Sequence, residues 1–200
     1  MTHLLFATRN AHKTRELAEL LGSGFTITDA SAHDGLPLVE ETGTTFAENA
    51  VLKAATISRI VPGLVVADDS GLEVDSLGGA PGVYSARFAG EAATDSENIA
   101  KLLRELRGST ARAAQFCCVL ALVREGETLA MFTGVVRGRI AEAPFGVDGF
   151  GYDPVFIPDG HEQTFAELGA AVKNSLSHRA RAVAGLQAWF NKKGGEDRRP

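Results

Sequence analysis

The run Leu64-Val65-Val66-Ala67, broken off by Asp68-Asp69-Ser70-Gly71, constrains the fold more than any other stretch of this chain. A short apolar run bounded by a turn signal predicts a buried strand. The two carboxylates are then expected where the strand ends. In α/β proteins ligands collect outside the carboxyl ends of strands, and an acid pair there suits a hard metal ion or the activation of water. The same pair also suits a solvated turn or a helix cap, so the rest of the chain has to decide between them.

Strand-like and helix-like runs surround that stretch. Leu4 to Ala7 predicts a first strand, and Thr14, Leu17, Ala18 and Leu21 follow at helical spacing, closed by Gly22 and Gly24. The turn between them, Thr8-Arg9-Asn10-Ala11-His12-Lys13, would offer backbone N–H groups and the positive end of a helix dipole, which favours an anion such as phosphate. A plain capped helix with an exposed lysine explains the same residues. Phe25 to Ala30 reads as a second strand, and Ser31 to Gly43 as a loop whose acidic feature is Glu40-Glu41. Thr45 and Glu48 have capping-box spacing and open a helix with Phe46, Ala50, Ala54 and Ile57 on its apolar positions and Lys53 two turns in. That lysine is either solvated or a second phosphate contact.

Gly78 to Arg87 is too rich in glycine for a regular element and suits a structured loop better than a linker. Thr94 and Glu97 form a second capping box before Ile99, Leu102, Leu103 and Leu106, and Gly108 stops that helix. Ala113 to Val123 and Thr128 to Val136, separated by Arg124-Glu125-Gly126-Glu127, predict an antiparallel hairpin, which makes the sheet mixed. A second glycine-rich loop, Pro144 to Pro154, carries Phe150, Tyr152 and Asp153. An aromatic ring among glycines is a platform on which a nucleobase can stack, or a plug for the core beside a turn. Thr164 to Leu168 has another hydroxyl-to-acid spacing, and after Lys173 a final amphipathic helix with Ser177 as its N-cap places His178 and Arg179 in its first turn. Cations there oppose the helix dipole, so they need a nearby anion or remain solvated.

Two hundred residues make one large domain or two small lobes. With 44% hydrophobic and 22% charged residues the composition is that of an ordinary globular protein, and a net charge of −5 gives no basic field for nucleic acid. No apolar run is long enough to span a bilayer, and the N-terminus shows no basic leader, so the expectation is a cytoplasmic protein without a membrane partner. Cys117 and Cys118 are adjacent on a strand, cannot easily pair with each other, and read as small core residues.

Six of these stretches occur together in a known family. Thr8 to Lys13, Glu40-Glu41-Thr42-Gly43, Ala67 to Leu72, Gly79-Ala80-Pro81-Gly82 through Ser85-Ala86-Arg87, Phe150-Gly151-Tyr152-Asp153-Pro154 and Ser177-His178-Arg179 stand in this order and at roughly this spacing in the Ham1-like inosine/xanthosine triphosphate pyrophosphatases, which the chain resembles from about Leu4 to its final helix. Arg9 departs from the family pattern, as do Ala171-Val172 before Lys173. The resemblance implies a homodimeric, two-lobed α/β protein with a long central mixed sheet flanked by helices and a cleft between the lobes. It implies a single pyrophosphatase domain over residues 1–193, and the stretch 194–200 after it reads as a frayed tail. It also implies magnesium-dependent cleavage of ITP, dITP and XTP to the monophosphate and pyrophosphate. On that basis Asp69 is the proton acceptor and a metal ligand, with Glu40 as a further ligand. Thr8, Arg9, Asn10, Ala11, His12 and Lys13, with Lys53, would hold the triphosphate, and Ser70 would contact substrate near the metal. Phe150, with Gly151 and Tyr152, would carry the base, and Asp153, Lys173, His178 and Arg179 would surround its edge. A pyrophosphatase for modified pyrimidine or methylated nucleotides, and a nucleotide sensor without hydrolysis, are the rival readings.

Overall fold

The computed structural model describes residues 1–196. Its elements run β1 (Thr2–Phe6), α1 (Ala11–Leu21), β2 (Phe25–Asp29), α2 (Phe46–Ser58), β3 (Leu64–Val74), α3 (Asp95–Glu105), β4 (Ala113–Arg124), β5 (Glu127–Ile140), β6 (Phe156–Pro158), α4 (Phe165–Leu176) and α5 (His178–Glu196). The strands form a six-stranded sheet in the order β2-β1-β3-β4-β5-β6. β1 pairs in parallel with β2 and with β3, and β5 pairs antiparallel with β6. β4 and β5 are neighbours joined only by Glu125 (φ 52°) and Gly126 (φ 82°). Two successive left-handed residues match the twist of a tight hairpin, and so short a link excludes parallel strands. The fold is therefore the mixed α/β sheet that the strand pattern predicts.

Helix starts follow the hydroxyl–acid spacings. Thr45 with Glu48, Thr94 with Glu97 and Thr164 with Glu167 each form a capping box, and each box satisfies backbone donors that the first helical turn leaves orphaned. The one substantial departure lies in β3. The strand does not stop at Ala67 but continues through Asp68-Asp69-Ser70-Gly71 to Val74, with both aspartates buried. Charged groups are rarely buried unless paired, and their partners come from segments far away in sequence.

The described chain divides into two compact units, one made of Met1–Asp69, Cys118–Gly134 and the segment from Arg179 on, the other of Ser70–Cys117 and Val135–His178. In the first unit, Leu17 and Leu21 of α1 and Ala182, Val183 and Leu186 of α5 pack over Leu4, Phe6, Val66, Cys118, Leu120 and Leu122 of the strands. In the second, Ile99 and Leu102 of α3 and Phe165 of α4 pack with Leu72, Val74, Phe116, Val136, Ile140 and Phe156. Cys117 and Cys118 are buried as thiols. Helix α5 is assigned through Glu196, so the first residues of the expected tail continue the helix, and 197–200 lie outside the described residues. Among the described residues no helix is long and apolar enough to cross a membrane.

Candidate active site

In an extended strand, neighbouring side chains point to opposite faces, and the two aspartates of β3 do so with different helices. Asp68 shares the parity of Val66 and meets α1 and α5. Its carboxylate accepts from Lys13 Nζ at 3.1 Å and from Arg179 Nη2 at 3.0 Å, while Arg179 Nη1 donates to Glu16. Arg179 and Asp68 are each 1% exposed. Burial alone would raise the Asp68 pKa, but the charges of Lys13, Arg179 and Lys53 outweigh it and hold the carboxyl far below the usual range. This is the anion that Arg179, in α5's first turn, requires. It also assigns Asp68 to anchoring Lys13 and Arg179.

Asp69 faces α2. Its Oδ2 accepts from Asn49 Nδ2 at 3.0 Å, and its Oδ1 lies 3.5 Å from Lys53 Nζ. Lys53 also donates to Glu41 Oε1 at 2.5 Å, so Glu41 of the loop and Asp69 of β3 converge on one ammonium. The acid brought to that ammonium is Glu41, and Glu40 stands beside it on the same loop, exposed. Burial first, and then the nearby Glu41 charge, raise the Asp69 pKa against the opposing pull of Lys53, Asn49 and Lys13. Burial would lower the Lys53 pKa, but Asp68, Asp69 and Glu41 together raise it.

The donor set suits a hard divalent cation. Among the described residues no group of three or more His, Cys, Asp or Glu side chains is arranged to hold a metal. Magnesium, however, needs only one or two carboxylates together with substrate phosphates and water. The carboxylates of Asp69 and Glu41, already directed at a single positive charge, meet that requirement with Glu40 adjacent.

The turn from Thr8 to Lys13 is more committed than its sequence suggests. Asn10 caps α1, its Oδ1 accepting from the backbone N–H groups of His12 at 2.9 Å and Lys13 at 3.3 Å. Thr8 Oγ1 accepts from Asn10 N at 3.2 Å, and Arg9 Nη2 donates to the Leu36 carbonyl at 2.7 Å. The Asn10 side chain thus occupies two of the donors that an anion would use, while Ala11 and His12 are exposed in the first turn of α1. Ser70 continues β3 beyond Asp69 and is partly exposed.

In the second unit the structure brings together Phe150, Asp153 and Lys173. Lys173 Nζ donates to Asp153 Oδ2 at 2.7 Å and sits 4.5 Å from the Phe150 ring centroid, a cation–π distance. The same Oδ2 accepts from Phe150 N at 2.9 Å. Gly149 has φ 80°, and a Cβ there would lie 2.2 Å from Asp153 Oδ2, so both the backbone and the carboxylate demand glycine. Gly151 N donates to Asp95 at 2.6 Å. Tyr152 is a core residue whose hydroxyl donates to the Ser85 carbonyl at 2.9 Å, and burial pushes its phenol pKa up. Its part in the site is to pin the loop. His178 is buried and stacks on Phe116, with centroids 4.7 Å apart and planes at 12°. Arg179, expected with Asp153 and Lys173, instead has its terminal nitrogens on Glu16 and Asp68.

Two residues of the first cluster escape a reading of the sequence. Asn49 lies with Phe46, Ala50 and Lys53 on the inward face of α2, and a polar side chain inside an apolar stripe was its only signal. Glu16 gives none, since its partner lies 163 positions away.

Fold and cluster together define a class: α/β proteins whose central sheet carries a buried acid pair flanked by lysines. The chain belongs to the Ham1 family, whose model matches residues 4–189. A dITP/XTP pyrophosphatase of Geobacillus kaustophilus is 49% identical over 202 residues, covering 99% of both chains, and one of Bacillus licheniformis is 48% identical over 191 residues, covering 94% of this chain and 97% of the other. The Ham1 protein of Staphylococcus aureus superposes with a TM-score of 0.87 at 40% identity, covering 96% of this chain and all of that one.

Proposed function

We propose that this chain hydrolyses the hypoxanthine and xanthine nucleoside triphosphates ITP, dITP and XTP to the nucleoside monophosphate and pyrophosphate, with magnesium as cofactor, and so removes them from the nucleotide pool. The observation that carries the proposal is Asp69, a buried carboxylate that converges with Glu41 on the Lys53 ammonium. Its relatives named dITP/XTP pyrophosphatases supply the substrate class. A homodimer in the cytoplasm is part of the same proposal.

Attack of water on the α-phosphorus needs a proton acceptor, neutralisation of phosphate charge and a stabilised leaving group. Asp69 accepts the proton, its carboxylate buried at β3 and held by Asn49 and Lys53. Magnesium held by Asp69 with the loop acids Glu40 and Glu41 would supply positive charge to the phosphates and acidify the attacking water. Lys53 and Lys13, each tied to a carboxylate in this structure, turn to the triphosphate and bind the charge that develops on pyrophosphate. The N-terminus of α1, from Thr8 to Lys13, receives the phosphate tail once Asn10 yields its two N–H groups.

Phe150 takes the base by stacking, and Asp153 and Lys173 hold that ring and the base edge. Hypoxanthine and xanthine present an oxygen at the 6-position where adenine presents an amino group. Donors aimed at that edge are left unpaired by adenine, a penalty that can reach about 10⁴-fold. His178 and Arg179 are those donors, Arg179 by sharing the bonds it now makes to Glu16 and Asp68. Rates on dITP, XTP and ITP against dATP, dGTP and modified pyrimidine triphosphates test the reading, with Asp69→Asn as control. Fast pyrophosphate release from the first three, lost in the variant, is expected. Faster turnover of the pyrimidines, or nucleotide binding without release, would replace it with one of the rival readings.

A further inference from the structure

Asn49 is fully buried on the inward face of α2, at 0% exposure. A buried amide costs free energy unless both of its ends are hydrogen-bonded, and here both are. Oδ1 accepts from the backbone N–H of Gly43 at 2.8 Å, and Nδ2 donates to Asp69 Oδ2 at 3.0 Å. The opposite amide orientation would set oxygen against carboxylate and N–H against N–H, so the network allows only this one. A single side chain therefore spans from the loop that carries Glu40 and Glu41 to the carboxylate of β3.

The helix start does not need this arrangement, because Thr45 and Glu48 cap it independently. Lys53 does not duplicate it either, since it approaches the other Asp69 oxygen, Oδ1. The loop is matched to the amide at Gly43, where a Cβ would lie 2.7 Å from both Asn49 Oδ1 and Glu48 Cβ.

We propose that Asn49 is a positioning residue that holds the loop acids Glu40 and Glu41 in register with Asp69, so that a divalent cation meets a preset set of carboxylates. The proposal rests on reading Asp69 and the loop acids as the metal site. Its test is Mn²⁺ binding to the nucleotide-free chain, followed by loss of the free-ion EPR signal, together with the Mg²⁺ half-saturation of pyrophosphate release from dITP. Asn49→Ala removes both arms, and Gly43→Ala pushes the loop off the amide while leaving the Asn49–Asp69 bond in place. Groups that orient metal ligands typically carry 10–100-fold in affinity, so both variants should bind Mn²⁺ at least about tenfold more weakly. Half-saturation should rise in parallel, with kcat at saturating Mg²⁺ falling much less. A lowered melting temperature with unchanged Mn²⁺ affinity in both variants would make Asn49 merely structural and overturn the proposal. Should Asn49→Ala fail to fold, Gly43→Ala decides alone. Absence of Mn²⁺ binding and of any Mg²⁺ requirement in the unaltered chain would instead sink the metal site itself, and the proposal with it.

Discussion

Replacing Arg179 by Met tests whether the buried charges under the site are an anchor. Arg179 and Asp68 are each 1% exposed and meet at 3.0 Å, and the guanidinium also reaches Glu16. Removing one partner of a buried pair costs about 3–5 kcal/mol, because the remaining charge stays desolvated. Lys13, with a side chain 18% exposed, still faces Asp68 and compensates in part, which places the expected loss near the lower bound, about 3 kcal/mol. For a chain of this size that corresponds to a melting temperature lower by roughly 6–12 °C. Urea unfolding followed by circular dichroism gives the single values, and adding Asp68→Asn and the double variant completes a cycle. Neutralising both partners removes the stranded charge on fully buried Asp68 and leaves only the more exposed Glu16 and Lys13, so the double variant should cost less than the two single losses combined, by about 1 kcal/mol or more. A loss under about 1 kcal/mol for Arg179→Met, or strict additivity, would refute the anchoring argument.

Other consequences are equally open to measurement. Phe150→Ala should raise KM for dITP by about 5- to 150-fold, the stacking contribution of one base, with kcat changed far less; an unchanged KM would remove Phe150 from the base site. Lys53→Met should lower kcat about 10²-fold or more, as loss of a single charge-stabilising donor does, read by pyrophosphate release at saturating Mg²⁺. The folded-state pKa of Asp68 is depressed, so its contribution to stability is complete above the usual aspartate value of 3.8 and is lost as the pH falls below it. Urea unfolding from pH 5 downward, values set by about that window, should therefore show a steeper loss for the natural chain than for Asp68→Asn, and parallel curves would contradict the shift.

How much of this was legible beforehand differs from element to element. The capping boxes at Thr45, Thr94 and Thr164 predict helix starts from residues three apart, and the structure has all of them. The Glu125-Gly126 turn likewise marks its hairpin through local conformational preference. The sequence predicts β3 too short because burial of Asp68 and Asp69 depends on Lys13, Asn49, Lys53 and Arg179, none of which is local to the strand. Leu72 and Val74, which alternate with Glu73, carried the signal for its continuation. The same limit governs the site. Residue types and order point to the pair Asp68-Asp69, to Lys13 and to Lys53, and the family resemblance singles out Asp69, but only packing shows that Arg179 serves Asp68, that Tyr152 belongs to the core, and that Glu41 meets Lys53.

Hydrolysis of dITP in ¹⁸O-labelled water bears most directly on the central claim, since the position of the label identifies the phosphorus that water attacks. Proton removal by Asp69 at the α-phosphorus predicts label in the deoxyinosine monophosphate and none in the pyrophosphate. Label in pyrophosphate or in free phosphate, or unchanged turnover in Asp69→Asn, would contradict it.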